Sequence, residues 1–156
     1  MLETPRIVET ADQRTAFIHL TVPRSQIKEV MGPGLRELMA AVSAQDIRPT
    51  GPWFTHHLRL APDVFDFELS VPVPSPVTAS GRVAPGRWPA TRVVRTIYQG
   101  PYEGLGAAWE EFDEWILAHG HTPGPDLWES YLAGPESSPD PAAFRTELSR
   151  NLGPAR

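Results

Sequence analysis

Two stretches of this chain carry the same succession of hydrophobic periods, and that duplication restricts the possible folds more than any other feature. In the first, Ala16, Ile18, Leu20 and Val22 alternate with polar neighbours, the period-two signature of a half-buried strand that Pro23 ends. Leu35, Leu38, Met39 and Val42 then recur at helical spacing, and Pro33 suits the first position of a fresh helix after the interruption at Gly32. A hairpin follows, Trp53 to Leu60 and Val64 to Val73, joined at Pro62-Asp63. In the second stretch Thr91 to Gln99 reads as a strand. Leu105, Ala108, Trp109, Phe112, Trp115 and Ile116 form the apolar stripe of a helix that Gly120 stops. Strands are predicted again over Leu127 to Ala133 and Phe144 to Leu152. The letters repeat as well: Gly51-Pro52 stands where Gly124-Pro125 does, and Phe67-Glu68-Leu69-Ser70 echoes Thr146-Glu147-Leu148-Ser149.

A single strand–helix–strand–strand unit leaves a face uncovered, so two in tandem should share one core. The prediction is an α+β fold: duplicated βαββ units with pseudo-two-fold symmetry, one curved antiparallel sheet, and both helices on one side. Repeat one covers about residues 13–73 and repeat two about 90–152, within a single domain of residues 1–156. Residues 74–91, rich in Pro, Ser and Gly, read as the linker, with a short strand at Gly81 to Val83.

Composition excludes several classes of function. The 156 residues, 40% hydrophobic and 21% charged, suit one soluble domain with a real core. No apolar run approaches the roughly 18 residues of a membrane span. The N-terminus has neither a basic nor an apolar leader region, so the expected location is cytoplasmic. With no cysteine there is no disulfide, thiol nucleophile or Cys-based zinc site. A net charge of −5 and a single lysine, Lys28, leave no basic track for a phosphate backbone, and no nucleic-acid binding is expected.

Glu129 and Tyr131 lie two apart in a predicted strand, so both side chains leave the same face. A carboxylate set among aromatics costs free energy unless it is paired or protonated, and it suits a flat or cationic organic molecule. The alternation leaves a second alternative open, in which Glu129 points to solvent. Trp53, Tyr98, Tyr102 and Tyr131 sit at strand or turn positions, where a ring can pack while its polar tip meets a ligand. Trp109, Phe112 and Trp115, at helical spacing, read first as core; Trp109 and Phe17 complete the candidate ligand-binding set. His56 and His57 are adjacent on a strand and face opposite ways, and His119 and His121 sit at a helix end, so neither pair suggests a metal. Gly-x-Ser-x-Gly is absent, and Gly100 to Gly106 lacks the Lys-Ser/Thr of a phosphate loop. No cofactor is expected. Glu110, Glu111, Asp113 and Glu114 read as a solvated helix face.

The run Gln99-Gly-Pro-Tyr-Glu-Gly-Leu105, the helix ending in Trp115-Ile116, the Gly124-Pro125 turn, Trp128-Glu-x-Tyr-Leu132 and the late Thr146-Glu-Leu148 resemble the GyrI-like family. That family is also described as the AraC/MerR-type effector-binding domain. Val30-Met-Gly-Pro33 and Phe67-Glu-Leu-Ser-Val-Pro-Val73 extend the likeness to about residues 7–152. The resemblance implies a ligand cleft between the two halves. In multidrug-sensing relatives a buried glutamate lined by aromatics binds lipophilic cations, and the Trp-Glu-x-Tyr motif puts that role on Glu129. Other relatives hydrolyse cyclopropane-bearing DNA-alkylating natural products with a Glu and a Tyr. Glu129 would then be the base and Tyr102 or Tyr131 the acid. A further branch inhibits gyrase, which implies a gyrase or regulator partner. The chain has no room for a helix-turn-helix domain, so the expectation is a stand-alone binder of a small hydrophobic or cationic compound; oligomeric state is not readable.

Overall fold

The computed structural model describes residues 2–60, 63–135 and 137–152. In chain order the strands and helices are β1 (Arg6–Glu9), β2 (Gln13–Pro23), α1 (Ile27–Ser43), β3 (Phe54–Leu60), β4 (Val64–Pro72) and β5 (Ala84–Trp88), then β6 (Arg92–Gln99), α2 (Leu105–Ala118), β7 (Pro123–Ala133) and β8 (Arg145–Leu152). They form two compact units, residues 11–90 and residues 2–10 together with 91–152. Each is α+β: four antiparallel strands with one long helix. The strand order is β5-β2-β4-β3 in the first and β1-β6-β8-β7 in the second. Each unit thus holds one strand–helix–strand–strand succession in the same spatial order, plus one added edge strand. Among the described residues no helix is long and apolar enough to cross a membrane.

In the unit of residues 11–90, pairing puts Ala16 opposite Val71, Ile18 opposite Leu69 and Leu20 opposite Phe67, all on the face that α1 covers. Leu38 and Val42 of α1 are buried against them, each contributing about 1.5–3 kcal/mol of transfer free energy. Gly34 allows the close approach, since an added Cβ would lie 3.1 Å from Leu69 Cδ2. Against the predicted fresh start, α1 runs unbroken from Ile27 through Pro33. Ile27 and Met31 pack on the same cluster as Leu35 and Met39, so one apolar stripe spans the proline and outweighs the ~3 kcal/mol it costs. The Pro62-Asp63 connection of the hairpin lies partly outside the described residues.

The stretch read as a linker is largely part of this unit. The strand comes at Ala84–Trp88 rather than Gly81 to Val83, where only a Ser80–Val83 bridge forms. In the other unit, Val94 and Leu148 meet Phe112 and Ile116 of α2 in a second buried cluster. β1, unforeseen in the sequence, borders β6, and β7 begins at Pro123, four residues before the predicted Leu127.

Candidate functional site

Glu129 and Tyr131 occupy successive rows of one sheet face. Thr96, Leu148 and Glu129 are opposite one another across β6, β8 and β7, and Tyr98, Thr146 and Tyr131 form the next row. Leu148 and Tyr98 belong to the cluster that packs on α2, which fixes this face as the helix-covered one. Alternation therefore turns Glu129 inward, where it is 9% exposed, and the solvent-facing alternative does not hold. Trp109, half-buried on α2, donates its Nε1–H to Glu129 Oε2 at 2.7 Å. The Tyr131 hydroxyl donates to Oε1 at 2.7 Å. Both of these donors are neutral groups. Just beyond, the register of β7 slips between Tyr131 and Ala133, a bulge of the kind that re-aims side chains beside sites.

Tyr102, in the 3-10 turn Tyr102–Gly104, meets Tyr131 edge-on at 5.9 Å between ring centres. Phe144 also packs on it, 5.1 Å away between ring centres. Four of the predicted residues, Glu129, Tyr131, Trp109 and Tyr102, are thus brought together in one unit. Tyr98 instead fastens the entry to α2: its hydroxyl donates to the Pro101 carbonyl at 2.8 Å and its ring crowds Gly100 and Gly104. Trp53 and Phe17 lie in the unit of residues 11–90. There Trp53 packs on the α1 cluster, while Phe17 shares the opposite face with Phe54 and Ser70.

The acidic face of α2 needs one correction. Glu110, Glu111 and Glu114 are exposed, but Asp113 is not merely solvated. Both its carboxylate oxygens accept from Arg150 on β8 at 3.0 Å. Burial pushes the Asp113 carboxyl above its ordinary value, and the Arg150 guanidinium pulls it back in part. Asp113 lies one turn beyond Trp109 on α2, and its pair with Arg150 ties this part of the helix to β8. Phe144 and Thr146 escaped the sequence reading. The signal was the alternation Phe144, Thr146, Leu148, which sets all three on the α2 side of β8. The Thr146 hydroxyl is buried and has no hydrogen-bond partner among the described residues.

The histidines behave as strand geometry requires. His56 Nδ1 lies 3.1 Å from Glu68 Oε1 on one face, and His57 stacks on Phe67 at 5.5 Å on the other. Among the described residues no group of three His, Asp or Glu side chains could hold a metal ion.

The sequence matches the GyrI-like small molecule binding domain over residues 3–149. No curated protein matches it. Among solved structures, the C-terminal domain of EcmrR shares 22% identity at a TM-score of 0.86, over 97% of this chain and 98% of that one. The EcmrR chain of a DNA complex aligns equally well, but this chain spans only 58% of its length. A protein from Listeria innocua described as a hydrolase shares 14% identity at a TM-score of 0.68, over 96% of this chain and 91% of its own. SAV2435, solved bound to tetraphenylphosphonium, shares 11% identity at 0.64, over 97% and 94%. The chain belongs to the GyrI-like small molecule binding domain family.

Proposed function

We propose that this chain binds a lipophilic organic cation, with Glu129 as its charge partner and the rings of Trp109, Tyr131 and Tyr102 as its contact surface. The observation that carries the reading is the buried Glu129 carboxylate, held by two neutral donors. A delocalised cation beside it gains Coulombic attraction in a partly dry setting. Each ring face adds cation–π attraction of about 0.5–2 kcal/mol. The neighbour SAV2435 is described with just such a cation, tetraphenylphosphonium, which makes that compound the natural probe. Glu129→Gln keeps the shape and removes the charge. Calorimetric titration should find tetraphenylphosphonium bound at least tenfold more weakly by the variant, about 1.4 kcal/mol. Neutral triphenylphosphine oxide should bind both proteins alike. Equal cation affinity in the two proteins would refute the reading.

A second reading is hydrolysis in the same site, of cyclopropane-bearing alkylating compounds. It draws on the Tyr131 hydroxyl 2.7 Å from Glu129, an acid–base pair in reach of one reacting group. The Listeria innocua neighbour described as a hydrolase adds to it. In that case Glu129→Gln abolishes product formation while largely sparing binding, because it removes a proton acceptor and keeps the side chain's shape. Chromatographic detection of ring-opened product separates the two readings.

A further inference from the structure

Among the described residues, the hydroxyls that β6, β7 and β8 turn toward α2 are hydrogen-bonded, with one exception. The Thr96 hydroxyl donates to the Glu3 carbonyl at 2.6 Å, that of Tyr98 to the Pro101 carbonyl at 2.8 Å, and that of Tyr131 to Glu129 at 2.7 Å. Thr146 stands between Tyr98 and Tyr131 in one row of the sheet and is fully buried. Its hydroxyl has no hydrogen-bond partner among the described residues. A hydroxyl has a single proton to donate, and those of its two tyrosine neighbours are placed elsewhere. Leaving a buried hydroxyl unpaired costs stability, and valine would fill the same space without that cost. Packing therefore gives no reason for a hydroxyl at this position.

Its place in the sheet ties that hydroxyl to Glu129. Glu129 stands opposite Leu148, two residues along β8 from Thr146, so the two side chains are diagonal neighbours on one face. Diagonal neighbours in a sheet lie about 7–8 Å apart, roughly the span of a benzene ring substituted at both ends. The ring of Tyr102 rests on Tyr131, directly across from Thr146, and on Phe144, two residues before it. Tyr102 is half-buried and lies in the 3-10 turn before α2, so moving its ring breaks no strand pairing. A ligand ring inserted beneath Tyr102 would touch Tyr131 and Phe144 and lie beside the Thr146 hydroxyl.

We propose that Thr146 determines the specificity of the Glu129 site, selecting aromatic cations that carry a hydroxyl one ring away from the positive charge. This rests on the cation reading of Glu129 given above. The charge lies against Glu129, the ring lies on Tyr131 and Phe144, and the ligand hydroxyl bonds Thr146 Oγ1. A threonine hydroxyl both donates and accepts, so it pairs with another hydroxyl in either sense. Folding has already removed water from Thr146, so the new bond is gained without that desolvation being repeated. A cation of the same shape that lacks the hydroxyl leaves the group unpaired and gains nothing from it.

Two cations of closely similar shape supply the test, tetraphenylphosphonium and (4-hydroxyphenyl)triphenylphosphonium. Slightly acidic buffer keeps the phenol protonated. Calorimetric titration of the whole protein should find the hydroxyl-bearing cation bound about tenfold more tightly than the plain one. The ratio of the two affinities is then read in variants. Thr146→Val keeps the shape of the side chain and should bring the ratio close to unity, whereas Thr146→Ser keeps the hydroxyl and should preserve the preference. Should Thr146→Val fail to fold, Thr146→Ala reads the same ratio. Equal binding of the two cations by the wild type overturns the specificity role, as does a preference that survives in Thr146→Val. Loss of the preference in Thr146→Ser as well would assign it to packing of the methyl group and overturn the role too. All three results leave the cation reading intact. If neither cation binds, or if Glu129→Gln binds both as tightly as the wild type, the cation reading itself fails and the role of Thr146 falls with it.

Discussion

Glu129, Trp109 and Tyr131 depend on one another. A hydrogen bond to a charged acceptor is worth about 1.5–3 kcal/mol, so Trp109→Phe and Tyr131→Phe should each cost about that much stability in urea denaturation. Thr146 offers the contrast. Its buried hydroxyl has no partner among the described residues, so Thr146→Val should be neutral or stabilising. Thr96→Val on the neighbouring strand loses a 2.6 Å bond to the Glu3 carbonyl and should cost about 1 kcal/mol. Asp113 makes a pH prediction. Its folded pKa is raised, so the native state holds the proton more tightly than the unfolded chain, whose aspartates titrate near about 3.9. Its contribution to stability is therefore present below that value and is lost as pH rises through the folded pKa. Arg150→Met removes the opposing guanidinium. NMR titration should then find Asp113 ionising at higher pH than in the wild type, with a correspondingly wider window of lost stability.

Helix α2 separates burial from charge within one element. Phe112 is fully buried, and Phe112→Ala should cost about 3–5 kcal/mol. Glu110 is exposed on the other side, and Glu110→Gln should change stability by about 0.5 kcal/mol or less. One urea denaturation series on both variants checks these two values. This helix was legible because its stripe is long and unbroken, and so was the alternation of β4, β6 and β8. Elements carrying glycine or proline were harder to read. In β5, Pro85 faces Ala16, whose polar groups turn to β4, so the missing N–H costs nothing there. Gly86 is required because a Cβ would come 2.6 Å from the Phe17 ring. Two apparent strand breakers thus suit this strand, which single-sequence periodicity does not register. The site was half legible for a similar reason. Spacing put Glu129 and Tyr131 on one face, but nothing local tells that the half-buried indole of Trp109 turns its N–H to a strand 20 residues away.

At the scale of the whole chain, residues 2–10 belong with the strands farthest from them in sequence. The Thr10 hydroxyl reaches the Thr91 carbonyl across 81 positions, and the Thr96 hydroxyl reaches Glu3 across 93. Deleting residues 2–9 should leave the outward amides of Val93, Arg95 and Ile97 open to hydrogen exchange while amides of residues 11–90 keep their protection. Uniform loss of protection in both units would contradict the division into two units. The same pairing imposes an order on biosynthesis. At about 5–20 residues per second, residues 2–10 leave the ribosome roughly 4–16 s before β6 does. During that interval residues 11–90 hold every strand of their own sheet and can close around α1. The earlier segment meanwhile waits as a strand without its template, with Ile7 and Val8 available to any unpaired edge nearby. A chaperone that engages nascent chains would find its longest opportunity at residues 2–10, which are made before either sheet and paired only with the second.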